Sequence, residues 1–202
     1  MIAIVDYGVG NLFSVHKALL AAGAEAEITS DEAVIRQAEK IVLPGVGAFG
    51  DCMKELNRSG LIPIIKERIS VGVPLLGICV GLQILFEDSE ESPGVPGLGI
   101  IKGHVKKIEA PGLKVPHMGW NALAEEKNTD LYDELPANSY VYFVHSYHAV
   151  PEDAEVVTAI TNYGSELTAS VKQGKVEATQ FHPEKSGRTG LQILRNFVKR
   201  KA

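Results

Sequence analysis

Apolar and polar positions follow one rhythm in the first half of the chain and another in the second. Residues 2–5 form a short unbroken apolar run, the pattern of a strand covered on both faces of a parallel sheet. Asp6-Tyr7-Gly8-Val9-Gly10 interrupts it. Over residues 11–22, Leu12, Val15, Leu19 and Leu20 recur at helical spacing, and Gly23 stops the helix. Residues 24–29 and 40–43 predict two further strands, the second ended by Pro44-Gly45-Val46-Gly47, with a helix following to Asn57. Residues 61–70 predict another helix, 75–78 a buried strand, and 80–87 a helix that starts directly after Cys79. Strand, loop and helix repeated in this order predict a parallel sheet with right-handed crossovers.

The second half begins with the turn-rich Ser92-Pro93-Gly94-Val95-Pro96-Gly97, after which strand patterns dominate. Residues 103–108, 139–144, 156–160, 167–172 and 175–181 are the candidates, the last two joined as a hairpin at Gln173-Gly174. Residues 186–199 close the chain as a helix. With no internal repeat, low-complexity tract or linker, the expectation is one α/β domain. Its central sheet should be mostly parallel, flanked by helices and antiparallel in its later part.

Composition narrows the function classes. A chain of 202 residues, 45% hydrophobic and 22% charged, buries a core without staples. A net charge of -5 gives no electrostatic ground for nucleic acid, which needs clustered Lys and Arg against phosphates. The one basic run, Lys199-Arg200-Lys201, reads as a solvated helix end. The apolar runs are too short to span a bilayer, and the first residues lack the basic flank of a signal peptide. With two cysteines, Cys52 and Cys79, and no export signal, a free thiol is favoured over a disulfide framework. A cytoplasmic enzyme is expected.

Gly77-Ile78-Cys79-Val80-Gly81-Leu82-Gln83 carries the strongest chemical signal. It sets a thiol between a buried strand and a helix, with glycine on each side, the cysteine counterpart of the G-x-S-x-G nucleophile elbow. Side chains at the flanking positions would collide in so tight a turn. A cysteine at a helix start meets unpaired N–H groups and the positive end of the macrodipole, which favour thiolate. The N–H of Val80 would then face a forming oxyanion. Taken alone, the segment is nearly as well read as a small buried residue filling a strand–helix junction. His182-Pro183-Glu184 lies just past a predicted strand end, where open α/β sheets place their sites. A thiol nucleophile needs a base, and the base needs an orienting group. Glu184 can turn back to the imidazole if Pro183 bends the chain. An isolated H-P-E is more often a surface turn; beside the elbow, a Cys-His-Glu triad becomes the better reading. The chain order of nucleophile, His and Glu disfavours the α/β-hydrolases.

G-x-C-x-G-x-Q with H-P-E about a hundred positions later resembles the class-I, triad-type glutamine amidotransferases. Pro44-Gly45-Val46-Gly47-Ala48-Phe49-Gly50 is similar to that family's oxyanion strand. Asp6-Tyr7-Gly8-Val9-Gly10-Asn11, Pro116-His117-Met118-Gly119-Trp120-Asn121 and Tyr142-Phe143-Val144-His145-Ser146-Tyr147 resemble, within it, the glutaminase subunits of imidazole glycerol phosphate synthases. The likeness spans nearly the whole chain, in family order. It implies one glutamine amidotransferase domain over residues 1–202, without a cofactor. It implies that Cys79 attacks the glutamine carboxamide, that His182 protonates the departing ammonia and that Glu184 orients His182. The oxyanion hole would come from Val80 and the Val46-Gly47 strand, and glutamine would be held by Gln83, Gly47 and the backbone of His145, Ser146 and Tyr147. Ammonia would pass to a (β/α)-barrel cyclase subunit in histidine biosynthesis, with Asn11, Trp120, Tyr142 and Lys185 at the interface.

Two alternatives stay beside this reading. The glutaminase of pyridoxal phosphate synthase shares the triad but should lack the 116–121 signature, and a regulatory subunit with a relic site should have lost a triad member. Other residues have plainer readings. His145 and His148, three apart, would point to opposite faces of one strand, which disfavours a metal site. Trp120, alone, would be core. Cys52 has neither elbow nor base and reads as a packing residue, and the glycines after the first strand do not complete a dinucleotide fingerprint.

Overall fold

The structure is a computed structural model and describes residues 1–124 and 127–200; Lys201 of the basic run lies outside the described residues. Strand β1 (Ile2–Val5) is buried at every position, as an unbroken apolar run between two helical layers requires. Helix α1 (Leu12–Ala21) buries Val15 and Leu19 in the core, and strand β2 (Ala26–Thr29) lies at the sheet edge. A short helix not foreseen from the sequence follows, α2 (Glu32–Gln37), capped by Asp31, whose carboxylate accepts the Ala33 N–H at 2.7 Å. Only Ile35 of its six residues is buried, so it writes no period into the sequence. Strand β3 (Lys40–Gly45) runs two residues further than expected, through Pro44. Helices α3 (Phe49–Ser59) and α4 (Ile62–Ser70) and strand β4 (Leu75–Cys79) lie where the pattern puts them.

Helix α5 (Val80–Gln83) corrects a second expectation: it has four residues and does not reach Glu87. The carbonyls that would continue it are taken by the following loop. Leu98 N–H donates to Ile84 at 2.8 Å, Ile100 to Leu85 at 2.9 Å and Gly97 to Glu87 at 2.7 Å. A one-turn helix has little macrodipole, so any help to Cys79 comes from local N–H groups instead.

The later chain comprises β5 (Asp88–Ser89), β6 (Gly103–Lys107), β7 (His117–Ala122), β8 (Tyr140–His145), β9 (Tyr147–Pro151), β10 (Val157–Asn162), β11 (Glu166–Gln173) and β12 (Val176–Thr179). Helix α6 (Gly187–Lys199) closes it. Strands β5, β7 and β9 were not foreseen. His145 ends β8 while His148 lies in β9, and the two strands belong to different sheets. The opposite-face argument for that pair therefore does not apply. Nor is the basic run wholly solvated: Arg200 is tucked against Glu177 and Asp130.

The main sheet has seven strands in the order β10-β11-β12-β4-β3-β1-β2. From β12 to β2 neighbours are parallel, and β11 and β10 extend the sheet antiparallel. The wholly buried Phe49, Phe86, Phe143, Phe181 and Phe197 belong to one continuous core. Smaller sheets, β5-β6-β9 and β7-β8, stand beside the main one. One consequence of the order decides where chemistry can occur. Late strand β12 pairs with β4, Thr179 opposite Ile78, and β3 flanks β4 on the other side, Gly45 opposite Cys79. The carboxyl ends of β3, β4 and β12 thus converge at one edge, where open parallel sheets bind ligands.

Candidate active site

Cys79 sits at the end of β4 with φ 56° and ψ −113°, a left-handed backbone that non-glycine residues rarely adopt. The glycines around it are obligatory by contact. A Cβ on Gly81 would stand 2.0 Å from the Leu43 carbonyl oxygen, and one on Gly77 2.8 Å from the Gly81 carbonyl oxygen. A Cβ on Gly45 would come within 2.6 Å of the Gly81 nitrogen. The elbow read from the sequence is therefore present, strained and closely packed.

Beyond β12, the chain is pinned before it turns. His182 N–H donates to the Tyr142 carbonyl at 3.0 Å, and Ser186 Oγ donates to the His182 carbonyl at 2.6 Å. A single 3-10 turn over Pro183–Lys185 then brings Glu184 back, Oε1 lying 2.8 Å from His182 Nδ1. Both side chains are buried. The carboxylate fixes the Nδ1–H tautomer and leaves Nε2 to interact with Cys79. Burial alone would lower the imidazole pKa, but the contacts with Cys79 and Glu184 outweigh it and push it up to about 9.

Cys79, Val80 and His182 line a cavity of about 410 Å³ together with Val46, Gly47 and Gln83. His145, Ser146, Tyr147 and Lys185 line the same cavity. Every residue expected to bind substrate or oxyanion thus lines one space, and Glu184 stands behind His182. Val80 N–H, at the first helical position, has no intrahelical partner. The Val46 carbonyl is held from behind by Cys52, whose thiol donates to it at 3.3 Å. Burial pushes the Cys52 thiol up to about 11. Cys52 is a packing residue, as read, but it packs against the loop of this site.

Two residues of the site escaped the sequence reading. Gln180, fully buried, accepts a hydrogen bond from Gln83 Nε2 at 3.0 Å and turns its own Nε2 toward Cys79 Sγ at 3.9 Å. His117 was quoted in a motif without a role. Its Nδ1 lies 2.9 Å from His145 Nε2, and its ring is stacked between Phe143 and Tyr163. Burial holds His117 at about 4 and His145 at about 3, so both are neutral near pH 7. The signals available were position alone: Gln180 precedes His182 by two, and His117 is the second residue of the 116–121 motif.

A class-I glutamine amidotransferase family model matches residues 3–201. The chain belongs to the class-I glutamine amidotransferases. Among curated members it is 50% identical over 196 residues to the imidazole glycerol phosphate synthase subunit HisH of Moorella thermoacetica, covering 97% of this chain and 93% of that one. It is 52% identical over 198 residues to the HisH subunit of Methanothermobacter thermautotrophicus, covering 98% of each. Solved structures share the fold at lower identity. A glutamine amidotransferase crystal structure superposes with a TM-score of 0.76 at 24% identity over 98% of each chain. PurLQS from Thermotoga maritima gives 0.74 at 22%, over 96% of this chain and 95% of that one.

The remaining residues named from the amidotransferase resemblance lie on or near the turn that follows β12. Trp120 is 55% exposed, so it is not core, and meets Tyr142 edge-on with ring centroids 6.1 Å apart. Tyr142 in turn holds the His182 N–H, and Lys185 follows on the same turn. Asn11 starts α1, which packs beside that turn. Among the described residues, one grouping of His and carboxylates has metal-ligand spacing, Glu87, His104 and Glu152, and none of the three lines the cavity. No described helix is long and apolar enough to cross a membrane.

Proposed function

We propose that this amidotransferase is the glutaminase subunit of an imidazole glycerol phosphate synthase, acting in histidine biosynthesis in the cytoplasm. The observation that carries its chemistry is the buried Cys79–His182–Glu184 array, whose Cys79 and His182 line a cavity of about 410 Å³. Residues 1–202 act as one glutaminase domain. The near-equal identity to both HisH subunits, over almost the full length, supports the choice of synthase.

Glutamine enters with its carboxamide at Cys79, held by Gln83, by Gly47 and by the backbone of His145, Ser146 and Tyr147. The Cys79 sulfur attacks the amide carbon, and the carbonyl electrons move onto oxygen, which accepts hydrogen bonds from Val80 N–H and the Val46-Gly47 strand. The C–N bond then breaks as His182 delivers its proton to nitrogen, releasing ammonia and leaving a thioester on Cys79. Water attacks the thioester, His182 takes up its proton, and glutamate leaves as the sulfur regains its electrons. Glu184 keeps the His182 tautomer fixed through both steps. Ammonia passes to a (β/α)-barrel cyclase subunit docked on the face that carries Asn11, Trp120, Tyr142 and Lys185.

The test is Cys79→Ala in the assembled synthase. Glutamine-dependent turnover should fall on the order of 10⁶-fold, while turnover on added ammonia stays unchanged. Substantial glutamine turnover by Cys79→Ala would overturn the assignment.

A further inference from the structure

We propose that Gln180 is a further catalytic residue, its side-chain N–H aimed at the Cys79 sulfur to steady the thiolate. The inference rests on Cys79 being the nucleophile. Which end of a buried amide faces a neighbour is decided by its partners and not by its shape. Here the partners leave one choice. The Tyr147 carbonyl can only accept, and Gln83 meets it at 3.1 Å, so Gln83 presents its NH₂ group. The other hydrogen of that NH₂ group points to Gln180 at 3.0 Å, so Gln180 must present its oxygen there. Its own NH₂ is then turned to Cys79 Sγ, 3.9 Å away.

The anchor of this chain is itself fixed. His145 Nδ1 also donates to the Tyr147 carbonyl, at 2.9 Å, which leaves its Nε2 to accept from His117 Nδ1 at 2.9 Å. Reversing the Gln180 amide would set Gln83 NH₂ against NH₂, and turning Gln83 would set two oxygens together at Tyr147. A separation of 3.9 Å is long for a neutral thiol, and a negatively charged sulfur, a much stronger acceptor, shortens it.

Among the described residues, His182 from the turn after β12, Tyr7 from the loop after β1 and Cys52 from α3 interact electrostatically with Cys79, and Glu91, His145 and Lys185 line the same cavity. Burial raises both Tyr7 and Cys52, which therefore stay neutral at pH 7. His182 is then a cation paired with the sulfur, and Gln180 an uncharged donor toward it.

The experiment uses the full chain and iodoacetamide, with alkylation of Cys79 followed by mass spectrometry across pH. Gln180→Met keeps the length and loses the donor; Gln180→Glu keeps the shape and places an acceptor where the donor stood. The alkylation midpoint should rise by about one pH unit in Gln180→Met and further in Gln180→Glu. Glutamine kcat in the assembled synthase should fall roughly tenfold, with KM within about threefold. Should Gln180→Glu fail to fold, Gln180→Met carries the test. A folded Gln180→Met with the unmodified chain's midpoint would overturn the proposal. Failure of the underlying reading looks different: Cys79 in the unmodified chain would then react no faster than Cys52, and the inference falls with it.

Discussion

Strand β12 is framed by two buried glutamates, Glu177 within it and Glu184 just beyond its end, and each side chain is 1% exposed. Glu177 is saturated. Its Oε1 accepts from Thr129 Oγ1 at 2.8 Å and faces Lys172 Nζ at 3.4 Å, and its Oε2 is held by the Arg200 guanidinium. Arg200 also reaches Asp130, which ties the end of α6 to the sheet. Glu184 has one partner, the His182 imidazole, and its Oε2 meets no hydrogen-bond donor among the described residues. Both carboxylates carry the cost of burial. At Glu177 fixed charges offset it, and nothing there needs to change during a reaction. At Glu184 the offset comes from a group that gains and loses a proton, so the same interaction becomes a control on that proton. One end of the strand is arranged for cohesion and the other for turnover.

The sharpest way to break this contrast is at the catalytic end. His182→Asn should lower glutamine kcat by about 10⁴-fold or more and Glu184→Gln by less. Because the two act as a unit, the double variant should lose little beyond His182→Asn alone. Additive losses in a double-mutant cycle would show that they do not cooperate. Next in size, Arg200→Ala should cost about 3 kcal/mol in a denaturant titration, at the lower end for a broken buried pair because Lys172 and Thr129 remain. Its glutamine kcat should stay within about threefold. A large loss of activity with unchanged stability would contradict the division of roles. The smallest effect is the most telling. Cys79→Gly relieves the left-handed backbone at the elbow and should stabilise the fold by about 1 kcal/mol while abolishing glutamine turnover. A destabilised Cys79→Gly would mean the elbow stores no strain.

The parts of the molecule that were legible in the sequence are those whose environment imposes a period or a steric limit. Strands β1, β3 and β4 are buried on both faces, so their apolar runs are unbroken, and α1, α3 and α6 bury one stripe each. Strand β7 inverts the usual code. It buries His117 while Met118 and Trp120 are 61% and 55% exposed, so its apolar residues stand on the open face and alternation misleads. Helix α5 ends early because the loop around Leu98 to Ile100 takes the carbonyls of Ile84 and Leu85, which no local pattern encodes. The site divides in the same way. Cys79 and His182 were readable because an elbow needs flanking glycines and an imidazole needs a carboxylate close in sequence. Gln180 was not, since its role depends on Gln83, 97 positions away, and on a carbonyl that fixes which way an amide points.

The most direct test of the account is reaction with a glutamine-mimicking chloroketone, followed by peptide mapping. The account predicts one covalent adduct per chain, on Cys79, suppressed by added glutamine, with Cys52 unmodified behind the Val46 carbonyl. Modification of Cys52 in preference to Cys79, or labelling of Cys79 that glutamine does not suppress, would contradict it.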